Sequence, residues 1–169
     1  FYELERQAIF QRCWLNLGRV EQLPRVGSYF TKEIDAAGTS IVVVRSGPEE
    51  YRAFHNICRH RGNKLVWNDF PKEETSGVCR NFTCKYHGWR YDLQGELTFV
   101  QQEEEFFGLD KADYPLASVQ IDTWEGWIFV NLDPDNTTGL REYMGALGKG
   151  LEGYPFEKMT QVHKYRAEI

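Results

Sequence analysis

Residues 54–62 read FHNICRHRG, and residues 83–89 read TCKYHGW. The first stretch carries Cys58 and His60 as C-x-H, and the second carries Cys84 and His87 as C-x-x-H. Residues 61–83 lie between His60 and Cys84, an interval of 23 positions. Half of the chain's four Cys and half of its four His fall in CRHRG (58–62) and CKYHGW (84–89), the two boxes. Each box follows a run of strand-forming residues, so each is expected in a loop beyond a rigid ladder.

Strand signals surround the boxes. SYFTKEI (28–34) alternates, TSIVVVRS (39–46) is β-branched, and Ala37-Gly38 supplies the turn between them. Gly47-Pro48 makes the next turn, before YRAFHNI (51–57). WRYDL (89–93) and ELTFV (96–100) flank Gln94-Gly95 and predict a hairpin. WIFVNL (127–132) is a late strand closed by Asp133-Pro134. Residues 3–14, ELERQAIFQRCW, predict a helix with Leu4, Ala8, Ile9 and Cys13 on one face. QQEEEFFGLDKADYP (101–115) reads as a surface excursion. From Thr137 onward Gly is frequent and strand signals fade, which predicts a connector with a short helix around residues 140–147. The fold class expected is all-β, with one N-terminal helix and an irregular C-terminal tail.

Composition narrows the function. A chain of 169 residues fits one ordinary domain, or one domain plus an appendage. With 15% aromatic residues it can bury a core, which argues against disorder. A formal charge of −5 gives no global attraction to phosphate, so no nucleic-acid partner is expected. The longest apolar runs are short, as in IVVV at 41–44, so no membrane span is expected. Four Cys are too sparse for a disulfide scaffold, and reduced thiols imply a cytoplasmic protein. The opening FYELERQAIF is charged and amphipathic, unlike a targeting segment. Numbering that starts at Phe1 without Met suggests a sequence trimmed at its front.

Two Cys and two His suit an iron–sulfur cluster on chemical grounds. Thiolates neutralise ferric charge and imidazoles are neutral ligands. Two ferric ions, two sulfides and two thiolates sum to zero, whereas four thiolates leave a dianion. Reducing the neutral unit is easier, which lifts the potential toward roughly −150 to +300 mV. Each box would give one ligand of each kind, the two Cys to one iron and the two His to the other. Imidazole also keeps a second nitrogen for hydrogen bonding toward a partner. A structural zinc site could use the same four residues, although C-x-H is unusual spacing for zinc. Four unrelated loop residues are the remaining alternative.

CRHRG (58–62) and CKYHGW (84–89) resemble the Rieske [2Fe–2S] signature, in the form carried by large (alpha) subunits of ring-hydroxylating oxygenases. The resemblance runs through WLNLGRVEQLPRVGSYFTKEI (14–34), FHNICRHRG, YHGWRYDLQGEL (86–97) and EGWIFVNLDPD (125–135). It implies that Cys58, His60, Cys84 and His87 bind the cluster. It also implies a Rieske domain of antiparallel sheets over residues 1–135, with a small cluster-binding subdomain at about 56–100. Residues 136–169 would connect to a C-terminal catalytic domain whose mononuclear non-haem Fe(II) is held by two His and one carboxylate. The implied function is electron transfer from a ferredoxin or flavin-dependent reductase to that iron. O₂ is activated there to hydroxylate an aromatic or similar hydrophobic substrate, in a homotrimer that passes electrons between subunits. A stand-alone Rieske ferredoxin is the rival reading, but the N-terminal helix, the lead-in through Arg45 and the tail are surplus for a carrier.

Respiratory-type Rieske proteins carry two further Cys in a disulfide and a Ser after the His-Gly pair. Here Asn63, Tyr86 and Trp89 occupy those positions. Fewer hydrogen bonds to sulfur imply the low end of the Rieske range. The interval between the boxes is longer than the family's, and the extra residues lie in a stretch, Trp67 to Cys79, that reads as a surface loop. Outside the boxes only His55 and His163 remain, and no H-x(4)-H-like pair exists, so no oxygen-activating iron is expected in these residues. The tail HKYRAEI resembles the approach to the catalytic domain, so the sequence reads as the Rieske part of a longer oxygenase subunit.

Other residues have simpler roles. Cys79, five residues before Cys84, reads as a free or packed thiol, because its spacing to His87 breaks the pattern. Cys13, Trp14, Trp67, Trp124 and Trp127 read as packing residues or loop anchors. Trp89 and Tyr91 either shield the cluster or simply pack. Arg59, Arg61 and Lys85 either complement an acidic donor or solvate the loops. The run Glu103–Glu105 reads as a solvated face.

Overall fold

The computed structural model describes residues 1–70 and 73–159. Its strands are β1 (Trp14–Arg19), β2 (Ser28–Ile34), β3 (Thr39–Gly47), β4 (Glu50–His55), β5 (Ser76–Val78), β6 (Phe82–Thr83), β7 (Arg90–Tyr91), β8 (Leu97–Phe99), β9 (Ser118–Trp124) and β10 (Trp127–Asn131). Seven form one antiparallel sheet in the order β1-β10-β9-β4-β3-β2-β5, curled as a half-barrel. A second sheet, β6-β7-β8, carries the second box. The chain is therefore mostly β, as its strand patterning implies.

β3 explains the architecture. Successive strand side chains point to opposite faces, so four apolar residues in a row demand cover on both sides. Ile41, Val42, Val43 and Val44 are all fully buried. On one face Val42 and Val44 pack with Phe54, Phe82, Trp89, Tyr91, Leu97 and the two box cysteines. On the other, Ile41 and Val43 pack with Ala53, Leu17, Phe30, Ile128 and Val130 inside the curl. The large sheet is thus a wall between two cores, and the boxes belong to the first.

The Gln94-Gly95 hairpin forms as expected, with β7 paired to β8. The Asp92 carboxylate accepts the backbone N–H groups of Gln94 and Glu96, closing the turn. Gly95 sits at φ +90°, and a Cβ there would fall 2.5 Å from the Phe54 ring. The turn is pressed onto β4, which locks the small sheet to the large one.

Three expectations need correction. The N-terminal helix is short: α1 (Tyr2–Glu5) continues as a π-helical turn over Arg6–Phe10 and stops, and Trp14 opens β1 instead. Its indole N–H donates to the Thr138 carbonyl (3.0 Å), and its ring joins Trp124 and Leu140 in a third core. Burial of that ring outweighs helical periodicity; Leu4 and Ile9, on the supposed apolar face, are exposed. Second, the fold is not purely β. The C-terminal helix α2 (Leu140–Leu151) forms where a short helix is expected but runs further, breaks at Gly145 (φ 52°, ψ −136°) and docks through Leu140 and Met144. Third, the long interval is more than a loop. Ser76–Val78 adds an edge strand to β2, held by Lys32–Glu74 (2.8 Å) and by Thr75, whose N–H donates to the Thr31 hydroxyl (2.8 Å). Ser76 and Val78 of this strand are exposed, in keeping with its place at the sheet edge. His163 and HKYRAEI lie outside the described residues. No helix among the described residues is long and apolar enough to cross a membrane.

Gly95→Ala should lower the unfolding free energy by about 1–3 kcal/mol, from overpacking against Phe54 and from backbone strain. Urea denaturation followed by tryptophan fluorescence checks this; an unchanged midpoint would show that the turn does not press on β4.

Candidate metal centre

The two boxes fold into loops with one hydrogen-bond frame. In the first, the Cys58 N–H donates to the Asn63 carbonyl (2.8 Å) and the Gly62 N–H to the Cys58 carbonyl (3.0 Å). In the second, the Cys84 N–H donates to the Trp89 carbonyl (2.8 Å) and the Gly88 N–H to the Cys84 carbonyl (3.0 Å). Gly62 and Gly88 sit at φ +72° and +73°, where L side chains are strained. Cys is therefore the first residue and Gly the fifth in both loops. His occupies the third position in one loop and the fourth in the other.

The stem of the first loop is closed by Asn56, which is fully buried. Its amide donates to the Val66 carbonyl (2.8 Å) and the Ser40 hydroxyl (3.1 Å), and its carbonyl oxygen accepts the Val66 N–H (2.7 Å). Its own backbone N–H donates to the Ser40 carbonyl (2.8 Å). The second loop is held by the β6–β7 pairing.

The donors sort by kind. Cys58 and Cys84 are buried free thiols that face each other, and the Cys84 sulfur helps raise the Cys58 thiol, whose burial is the larger cause. The His60 and His87 rings lie 4.7 Å apart, centroid to centroid, nearer the surface. Among the described residues no three His, Cys, Asp or Glu side chains converge as one ion would require. Two pairs suit two metals better than one. His60 Nδ1 is buried and has no hydrogen-bond partner. Leaving such an atom unpaired costs about 1–3 kcal/mol, which a coordinate bond would remove. Burial pushes the His60 imidazole's pKa down, and the charges of His87 and Arg61 push it further, which favours the neutral ring that a metal needs. The donor set thus fits an iron–sulfur unit. With its thiol pKa raised, Cys58 would release a proton on metal binding, so affinity should rise with pH.

Side chains outside the boxes complete the surroundings. The Tyr91 hydroxyl is 3.5 Å from Cys58 Sγ and accepts the Arg59 N–H (3.1 Å), leaving its own proton for the sulfur. Burial, foremost, raises the Tyr91 phenol, so it keeps that proton. The Asn63 amide lies 3.8 Å from Cys84 Sγ. Trp89 is buried and stacks on His60 (4.7 Å, 6°), with Tyr114 edge-on behind it (5.7 Å). Tyr86, exposed, stacks on His87 (3.8 Å). Phe106, from the acidic excursion, stands edge-on to His60 (6.0 Å). Trp89 therefore shields the site as well as packing.

Other sequence candidates fall elsewhere. Burial pushes the Cys79 thiol up to about 11, so it stays protonated and packs beneath the boxes. Cys13 lies beside Tyr143 of α2 and raises its phenol. His55 Nδ1 hydrogen-bonds the Thr39 hydroxyl (3.0 Å) within the sheet. Lys85 is committed to Trp67, donating to its carbonyl (2.8 Å) and lying 4.2 Å from its ring centroid, so it anchors the long interval. Arg59 and Arg61 are exposed. Sequence reasoning passed over Asn56 and the contact role of Asn63; their positions flanking the first box were the available signal.

Paired sulfurs and paired imidazoles on two sheet-borne loops are the donor set that a two-metal electron-transfer centre would use. The chain belongs to the Rieske family: the profile of the Rieske [2Fe–2S] domain matches residues 13–120. It is 39% identical over 145 residues to biphenyl 2,3-dioxygenase subunit alpha of Rhodococcus jostii (85% of this chain, 30% of that protein). It is 33% identical over 156 residues to the carnitine monooxygenase oxygenase subunit of Escherichia coli K12 (91% and 39%). The crystal structure of naphthalene 1,2-dioxygenase from a Rhodococcus species, bound to indole, superposes with a TM-score of 0.78 at 30% identity (89% and 33%). The chain spans about a third of the length of the curated relatives it matches.

Asn56→Leu should strip the side-chain partners from the Val66 N–H and carbonyl and lower stability by about 1–3 kcal/mol. Thermal and urea unfolding measure it; wild-type stability would mean that the stem closes without this side chain.

Proposed function

We propose that Cys58 and Cys84 bind one iron of a [2Fe–2S] cluster, and that His60 and His87 bind the other. The observation that carries this is the sorting of donors into a buried sulfur pair and a shallower imidazole pair, with His60 Nδ1 lacking any protein partner. A cluster held this way supplies one-electron transfer at a potential raised by its neutral ligands. The protein contributes the surroundings. Val42, Val44, Trp89 and Leu97 keep water from the sulfur side. Tyr91 holds a proton against Cys58 Sγ, which favours the extra negative charge of reduction. With Nδ1 turned inward, His60 keeps Nε2 for a hydrogen bond toward a partner.

On this reading residues 1–135 form a Rieske unit with its cluster-binding subdomain at about 56–100, and residues 136–169 connect it to a catalytic domain. The unit takes electrons singly from a ferredoxin or flavin-dependent reductase. It delivers them to a mononuclear non-haem iron site outside these residues, in a neighbouring subunit of a cytoplasmic homotrimer. The whole protein then performs O₂-dependent hydroxylation of an aromatic or similar hydrophobic substrate. The relatives named above are oxygenase subunits, which supports this over a stand-alone carrier. They differ in substrate, biphenyl for one and carnitine for the other, so likeness in this part of the chain does not track substrate.

The protein should be red-brown, carry about two iron and two acid-labile sulfide per chain, and give a Rieske-type EPR signal on reduction. A colourless protein with stoichiometric zinc would overturn the reading. Tyr91→Phe should retain the cluster and lower the midpoint potential in voltammetry. His87→Cys should lower it as well, by adding negative charge; an unchanged midpoint would show that His87 is not a ligand.

A further inference from the structure

Cys58 Sγ receives its hydrogen bond from Tyr91, which is part of the second sheet, and Cys84 Sγ has its own donor from the opposite loop. Asn63 Nδ2 donates to the Lys64 carbonyl at 2.8 Å and lies 3.8 Å from Cys84 Sγ. The Lys64 carbonyl can accept only from the NH₂ group, which fixes the orientation of the amide. That NH₂ has two hydrogens, so one serves the carbonyl and the other points to the sulfur. The backbone carbonyl of Asn63 accepts the Cys58 N–H (2.8 Å), so this residue closes the first loop with its main chain and reaches the second loop with its side chain.

We propose that Asn63 is a positioning residue that sets the reduction potential of the centre through Cys84. The proposal rests on Cys84 being a ligand, as put forward above. An N–H directed at a ligand sulfur stabilises added negative charge there, and favours the reduced state. Each sulfur would then have one side-chain donor, Tyr91 for Cys58 and Asn63 for Cys84. Each donor comes from the loop or sheet opposite its sulfur. At the position where respiratory-type proteins place a disulfide cysteine, this chain would use an amide to tie the loops together and to tune the centre at once.

The test compares cluster-loaded wild type with Asn63→Leu, Asn63→Asp and Asn63→Gln, reading the midpoint potential by mediated titration and the EPR g-values of the reduced protein. Leu is close in size and has no donor, so its midpoint should fall. Asp is isosteric, has no donor and adds a negative charge, so it should fall further. Gln restores an amide and should recover toward wild type. This ordering follows donor and charge rather than volume, which a purely structural role would not reproduce. Should Asn63→Leu fail to load, an unshifted midpoint in Asn63→Asp overturns the proposal by itself. A Rieske-type signal in all four proteins with equal midpoints overturns it while leaving the ligand assignment intact. A wild type without that signal overturns the ligand assignment, and this inference with it.

Discussion

Two loops of different sequence share one backbone frame, and the centre depends on that shared frame. In each, the Cys main chain bonds to the residue five positions on, and a left-handed Gly donates back to the Cys carbonyl. The frame fixes where each thiol leaves the backbone. Because both loops begin with Cys, sulfur meets sulfur; because His is third in one and fourth in the other, the imidazoles meet on the shallower side. A change of one position in either loop would break the sorting. The boxes work as geometry, and their residue types alone would not bring like donors together.

The rest of the molecule holds the two frames at a fixed separation. One frame springs from the large sheet at the end of β4, and the other from the small sheet between β6 and β7. These sheets meet through the core built on Val42, Val44 and Phe54, and the hairpin at Gly95 pins the small sheet to that core. Asn56 closes the first stem with no contribution from a metal. The outer core inside the curl and the third core under α2 stiffen the wall from behind.

Much of this was legible in the residues. Strands dominated by a single physical signal were readable: the β-branched run 41–44, the alternation at 28–34 and the turn residues at Gln94-Gly95. The four candidate donors stood out because Cys and His are rare here and clustered. Trp14 was misassigned to a helix because local periodicity says nothing of a hydrogen bond to Thr138, 124 residues away. β9 and the short β5 escaped because their pairing, rather than their composition, makes them strands. Lys85 looked like a free charge, and only the folded chain brings Trp67 beneath it. Polar side chains that serve the centre at second hand, Asn56 and Asn63, look in sequence like ordinary loop asparagines.

The closure of the first loop by Asn56, and of both loops by their own main chains, has a bearing on speed. These bonds join parts of the protein to one another, and none involves the atoms that would change charge. A donor cage already locked in place has little room to relax when an electron arrives or departs. The outer part of the reorganisation energy is trimmed too, because the sulfurs sit where no water can turn to face them. A site built this way can hand electrons across a gap with a small activation barrier, and the polypeptide need not move to do so.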